Sequence, residues 1–273
     1  MSHSASRVQG FVCAVFALGL FLVPVAPSQA LEEKAASLKM REAIAKDLTA
    51  LEAAIKEKLP KEQIRLIRSL VPRWKHFDKK QRKLLRADME KLFAKGAEDL
   101  RLTIVRALGR MDGGKKGLEA KKSTHTLLKY LKVKKVVAKG ALHREILKSL
   151  GLLKRAAGMA ALLDSLNDKE TKTVTAAIQS LGQFHKAKTS VRKEIFKTIL
   201  RAIPSPRTSG GNRGGGAGGR SGGLVDPRFD YERKRKIESA ADATFRKLTG
   251  EQLRGKEAWM RWWNKKGKKK SKW

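Results

Sequence analysis

The side chains suited to acid–base, nucleophilic or metal chemistry are sparse in this chain of 273 residues. After His3 the histidines are His76, His125, His143 and His185. None has a second histidine three or four positions away, and none belongs to a His-Glu-x-x-His pattern, so no metal site is drawn from them. The single cysteine, Cys13, lies near the N-terminus inside an apolar run. Asp88 with Glu90, and Glu32 with Glu33, are spaced as neighbours on solvated helix faces rather than as a general acid/base pair. Asp112-Gly113-Gly114-Lys115-Lys116 invites comparison with a phosphate-binding loop, but it lacks the Gly-Lys-Ser/Thr ending and follows a helical pattern rather than a strand. An interhelical turn is the expectation there. His143, seven residues before Leu150 on the apolar side of its segment, reads as a packing histidine. The inventory leads to a protein that is not an enzyme, with no metal and no cofactor.

Charge points elsewhere. Lysine and arginine number 62 against 26 aspartates and glutamates, a formal net charge of +36. Such a chain stays soluble, repels its own copies and favours polyanions within about a Debye length. The densest cationic clusters are Arg233, Lys234, Arg235 and Lys236, and then Lys265, Lys266, Lys268, Lys269, Lys270 and Lys272. These ten are the candidate polyanion-binding residues. The C-terminal lysines suit either a solubilising terminus or a polycation at an anionic membrane surface.

The elements that must position these groups read as helices. Arg7, an apolar stretch from Phe11 to Val25, and Ser28-Gln29-Ala30 make a signal peptide of residues 1–30, cleaved before Leu31; an uncleaved N-terminal anchor is the alternative. Export to the periplasm or the outside follows from that reading. Cleavage would remove Cys13, leaving no thiol for a disulfide. Residues 31–60 form a capping helix with the stripe Leu38, Ile44, Leu48, Leu51 and Ile55, ended by Pro60. Helices are then expected near 61–76, 79–95, 98–111, 123–133, 139–153, 156–167, 170–184 and 189–203. One phrase recurs through them: apolar residues three and four positions before a leucine, followed by glycine, at Leu108-Gly109, Leu150-Gly151, Leu181-Gly182 and, more loosely, Leu248-Thr249-Gly250. A weaker copy ends at Leu70. Each phrase describes one helix burying one stripe, with glycine in the left-handed position that ends it.

Between the phrases lie shorter helices, and here the pattern becomes specific. A helix ending Leu166-Asn167-Asp168, a charged stretch, and then Val174, Ala177 and Leu181-Gly182 resembles a HEAT repeat. The resemblance implies that Asp168 caps the second helix; Thr175 stands where that family usually has arginine. Leu248-Thr249-Gly250, Glu257-Ala258-Trp259 and the Trp262-Trp263 pair are similar to the C-terminal close of exported bacterial HEAT proteins. The fold this implies is an all-α, HEAT-like α-α superhelix of about four to five helical repeats. The closing leucines are spaced 38, 42, 31 and 67 residues apart. The long last interval holds a Gly/Ser/Arg-rich segment, residues 204–227, expected to be a disordered loop inserted before the final repeat at 228–263. Residues 61–203 hold the other repeats, and 264–273 are expected as a disordered tail. Trp259, Trp262 and Trp263 share one helix side and suit either a lid on the last repeat or a cage for a cationic ligand.

Among HEAT-like enzymes, a DNA glycosylase would want an aromatic residue and an aspartate near a flipped base, for which Trp74 and Asp78 are the nearest candidates. The reading carried forward is an exported, non-enzymatic scaffold that binds a protein or an anionic polymer. Nucleic acid bound electrostatically is the alternative.

Overall fold

The computed structural model describes residues 27–112, 117–133, 140–204 and 227–269, with residues 27–30 and 227–230 as backbone only. The chain divides into two units at Met40 and Arg41. In the first, the described residues 27–40 are helical, and Leu31 and Leu38 are exposed. They belong to helix α1 (Pro27–Lys56), which begins inside the span expected to be the signal peptide; residues 1–26 lie outside the described residues.

The second unit is all-α. Ile44 and Leu51 of α1 are buried in it. Lys58, at φ 56°, turns the chain after α1, and Pro60 opens α2 (Pro60–Leu70) rather than closing the helix before it. Proline suits that first position because its missing N–H would have no helical partner there. The helices that follow are α3 (Lys79–Lys95), α4 (Glu98–Arg110), α5 (Leu118–Leu131), α6 (Gly140–Leu153), α7 (Ala156–Asp164), α8 (Thr171–Leu181), α9 (Thr189–Ala202), α10 (Pro227–Thr249) and α11 (Lys256–Trp262). Short 3-10 turns extend α2, α7 and α8, and no strand occurs among the described residues. Helix α5 starts five residues earlier than its apolar pattern suggests, with Gly117 at φ 65° just before it.

The helices pack in two rows. Helices α2, α4, α6, α8 and α10 stack each on the next, α3, α5, α7 and α9 pair with them, and α11 packs against α9. We call these the inner and outer rows. Phe196 of α9, Phe245 of α10 and Trp259 of α11 close the C-terminal end of the core, with ring centroids 4.2 Å apart for Phe196–Phe245 and 5.2 Å for Phe245–Trp259. Trp259 is fully buried, its Nε1 donating to Asp242 at 2.8 Å, while Trp262 and Trp263 pack against the Phe196 ring. The three rings are spent on one another and on the core, which leaves no cage.

The recurring glycines have a different purpose from the one their position suggests. Gly109 and Gly151 lie inside their helices, and Gly182 has φ −61°; of the four, only Gly250, at φ 80°, takes the left-handed turn. What the other three share is a neighbour. A Cβ on Gly109 would stand 2.7 Å from Ser149 Cβ, one on Gly151 2.8 Å from Ser180 Cβ, and one on Gly182 3.3 Å from Thr244 Oγ1. Helices α4, α6 and α8 therefore each receive a small hydroxyl residue of the next inner helix. Ser149 donates to the carbonyl of Val105 and Thr244 to that of Ile178, in each case four residues before the glycine; Ser180 instead donates to Ala176 of its own helix.

These contacts also reset the register of the last copy. Ser149 and Ser180 stand two residues before Gly151 and Gly182, so Thr244 places Arg246 at the glycine position and Phe245, not Leu248, at that of the closing leucine. The extra length of the last interval is thus three residues shorter than the Leu248 alignment implies. Residues 205–226, where the inserted loop is expected, lie outside the described residues. The tail expected from residue 264 starts later: 263–267 form a π-helical turn, Gly267 is buried, and Lys193 of α9 donates to the carbonyl of Lys268 at 2.9 Å. Residues 270–273 are not described.

Gly151→Ala should be markedly destabilising, since the new methyl meets both Ser180 Cβ and the Ser180 carbonyl at 2.8 Å. A loss of about 1–3 kcal/mol in urea unfolding is expected from such overpacking. Gly182→Ala, with 3.3 Å to its nearest neighbour, should lose clearly less. Equal losses would mean that helix separation is not what these glycines set.

Candidate functional site

Helical phase carries the site. In an inner helix the closing leucine points to the core, and the residues two and six positions before it turn toward the open side of the row. Two positions before stand Arg68, Arg106, Lys148, Gln179 and Ala243; six before, in α6, α8 and α10, stand Arg144, Thr175 and Ser239. The structure opens two clefts over these side chains. The smaller, about 320 Å³, lies between α2 and α4 and is lined by Arg68, Arg106 and Arg110 with Ile67, Val71, Thr103 and Ala107. The larger, about 760 Å³, spans α6, α8 and α10. Its cations are Arg144, Lys148, Lys172, Arg235 and Lys236, and its lining includes one carboxylate, Glu232.

Some of this charge is already paired. Glu145 accepts from Arg106 at 2.9 Å and lies 3.7 Å from Lys148, tying α4 to α6. Glu170 accepts from Arg144 at 2.6 Å. Glu232 is 3.9 Å from both Arg235 and Lys236, a loose and exposed arrangement that contributes little. Lys172, Arg68 and Arg110 have no ion pair among the described residues. Neutral polar groups line the larger cleft as well: Thr175, whose hydroxyl donates to Thr171 O at 2.8 Å and keeps its lone pairs, together with Gln179 and Ser239. Ala176, Ala240 and Ala243 complete the groove. No aromatic side chain lines it.

The candidate cations separate accordingly. Arg235 and Lys236 line the groove. Arg233 does not: its guanidinium donates to the carbonyls of Lys169 and, at 2.9 Å, Asp168, fastening α10 to the α7–α8 turn. In the same turn the Asp168 carboxylate accepts from Glu170 N at 2.7 Å, just before α8 begins. Lys234 is half-buried and lines neither cleft. Lys265, Lys266, Lys268 and Lys269 are exposed on the turn after α11, on the outer row, and so do not join the groove; Lys270 and Lys272 lie outside the described residues. Charge density along the chain missed Arg144, Lys148 and Lys172, which are isolated in sequence. The offset from Leu150 finds Arg144 and Lys148 directly, and the offset from Phe245 finds Ser239 and Ala243.

Groups with chemical potential elsewhere are structural. Trp74 is buried with Arg82 and Arg86 about its ring at 5.6 and 5.8 Å, and Asp78 forms a capping box with Gln81 at the start of α3. Neither is placed to receive a base. Burial pushes the Glu119 carboxyl up, but bonds from Lys122 and Arg86 outweigh it and hold the group below its ordinary range. Asp47 behaves alike, with Arg73 and Ser69 as donors. A third cavity, about 360 Å³, lies between α3 and α5, where Phe93 and Tyr130 stack at 3.5 Å. Burial raises the Tyr130 hydroxyl above its usual range, and Arg101 beside it is spent on the carbonyls of Phe93 and Ala94. No group of three or more His, Cys, Asp or Glu converges among the described residues. No protein-family model, curated protein or solved structure matches the chain.

His143 is buried on α6, and desolvation holds its imidazole below the ordinary 6.5, more than Asp168 and Glu170 nearby raise it; Arg144 lowers it further. The unfolded chain therefore binds this proton first on acidification. Stability from His143 is complete above about pH 6.5 and declines as the pH falls through that value. Urea midpoints between pH 7.5 and 5.5 should drop for the native protein and drop less for His143→Leu. Parallel curves would assign the decline to other groups.

Proposed function

We propose that this protein is an exported, HEAT-like helical scaffold, without catalytic activity, that holds an anionic polymer along the open side of its inner row. One observation carries the reading: the groove across α6, α8 and α10 gathers five cations from three helices against one lining carboxylate. Three of those cations, Arg144, Lys148 and Lys172, come from segments far apart in sequence from the Arg235 and Lys236 pair. Solvation of helix surfaces requires no such convergence. The cleft over Arg68, Arg106 and Arg110 continues the same sign of charge along α2 and α4. Supporting the HEAT-like assignment are the paired rows of helices and the glycine–hydroxyl contact repeated at three successive inner interfaces. Export rests on the N-terminal pattern of Arg7, the apolar stretch and Ser28-Gln29-Ala30. Single-stranded nucleic acid is the less suitable polyanion, because single strands are held by stacking on aromatic side chains and the groove offers none.

The test is electrostatic and local. Binding of the protein to a soluble polyanion should weaken steeply as salt rises. Reversing Lys148 and Lys172 together to glutamate should lower affinity at low salt by roughly tenfold or more, an effect of about 1.4 kcal/mol. Lys197→Glu, half that charge change on the exposed side of α9, should lower it by far less than half as much in free energy. If the two substitutions per charge removed act alike, net charge alone governs binding and the groove is not the site.

A further inference from the structure

The groove is more than a positive surface, because hydrogen-bonding groups line it together with its cations. Lys172 lies at the N-terminal end of α8, Arg235 and Lys236 lie near the middle of α10, and Arg144 with Lys148 forms the wall given by α6. Thr175, Gln179 and Ser239 line the same groove, with the small Ala176, Ala240 and Ala243. Gln179 and Ser239 are exposed and form no hydrogen bond with other described residues, while Thr175 can still accept one. A ligand that satisfies the whole set must offer both negative charge and neutral hydroxyl or ether oxygen.

Three polymer classes answer to cations alone. An acidic helix would need pockets for apolar anchors, and no side chain of the groove larger than alanine is apolar. A single-stranded nucleic acid would need aromatic platforms, which the lining lacks. A carboxylated polysaccharide needs neither: its carboxylates take the lysines and arginines, and its ring hydroxyls both donate and accept at Thr175, Gln179 and Ser239. Inner helices in contact lie roughly 8–10 Å apart, so the α6, α8 and α10 groups form successive rungs for a linear chain crossing the row.

We infer that the α6–α8–α10 groove is a binding site for a linear acidic polysaccharide bearing carboxylates, read by Arg144, Lys148, Lys172 and Lys236 through charge and by Thr175, Gln179 and Ser239 through hydroxyls. The inference rests on the polyanion reading above and narrows it to one chemical class.

Calorimetric titration of the protein with three probes of matched charge separates the two levels: oligogalacturonate, oligoglutamate and a single-stranded oligodeoxynucleotide. The expected result is that oligogalacturonate binds tightest, by about tenfold. Gln179→Leu and Ser239→Ala, checked for unchanged circular dichroism and melting, should weaken oligogalacturonate several-fold and leave oligoglutamate unchanged. Oligoglutamate or the oligonucleotide binding as tightly as the uronate, or both substitutions acting equally on every probe, overturns the polysaccharide assignment while leaving a polyanion groove. Should the paired Lys148→Glu and Lys172→Glu reversal change none of the three, the polyanion reading itself falls with it.

Discussion

The close approach of neighbouring inner helices is the constraint on which the rest depends. Gly109 against Ser149, Gly151 against Ser180 and Gly182 against Thr244 bring backbone to within contact of the next helix. A glycine inside a helix costs about 0.5–1 kcal/mol relative to alanine, so its repeated presence must be offset by packing. Two of the three hydroxyls also donate across the interface to a carbonyl that already serves its own helix. The result fixes rotation as well as distance. Because α4, α6, α8 and α10 are locked in phase, residues two and six positions before the closing apolar residue come to the same open side.

That phase is what converts scattered cations into a groove. Arg144, Lys148 and Lys172 are ordinary in sequence, each surrounded by residues of mixed kind, while the conspicuous run at 233–236 divides between the groove and a structural bond, and the described lysines at 265–269 lie away from the groove. Arg233 illustrates the difference. Its charge is spent on the carbonyls of Asp168 and Lys169, where it holds α10 to a turn. A density of charge along a chain and a density of charge in space are separate properties.

Much of the helical framework was legible from local pattern. The expected boundaries of α3, α4, α6 and α9 agree with those observed within a residue or so, since amphipathic periodicity and the Asp78 cap act within one or two turns. The glycines were misread because Leu-Gly has the same form whether glycine ends a helix or admits a neighbour, and only the partner helix distinguishes them. The last copy slipped by three residues for a related reason: Phe245 and Leu248 lie on the same helix face, and Gly250 truly ends its helix, so the wrong register was locally consistent. The ordered turn at 263–267 escaped a composition argument that weighs lysines and overlooks Gly267 against the Trp262 ring. The groove escaped for want of a register.

The tryptophans add something of a different kind. Trp74 sits beside Arg82 and Arg86 near the first helices of the second unit, and Trp259, Trp262 and Trp263 sit together in the core closed by α11; the fifth, Trp273, is not described. None lies between residues 75 and 258. Stacked helical pairs interact chiefly with their neighbours, so one end of such an array can loosen while the other holds. In this chain the two ends carry separate native fluorophores in unlike surroundings, Trp74 with two guanidinium groups and Phe77 about its ring and the described C-terminal tryptophans with aromatic rings about theirs. Its emission spectrum is therefore a built-in record of which end comes apart first.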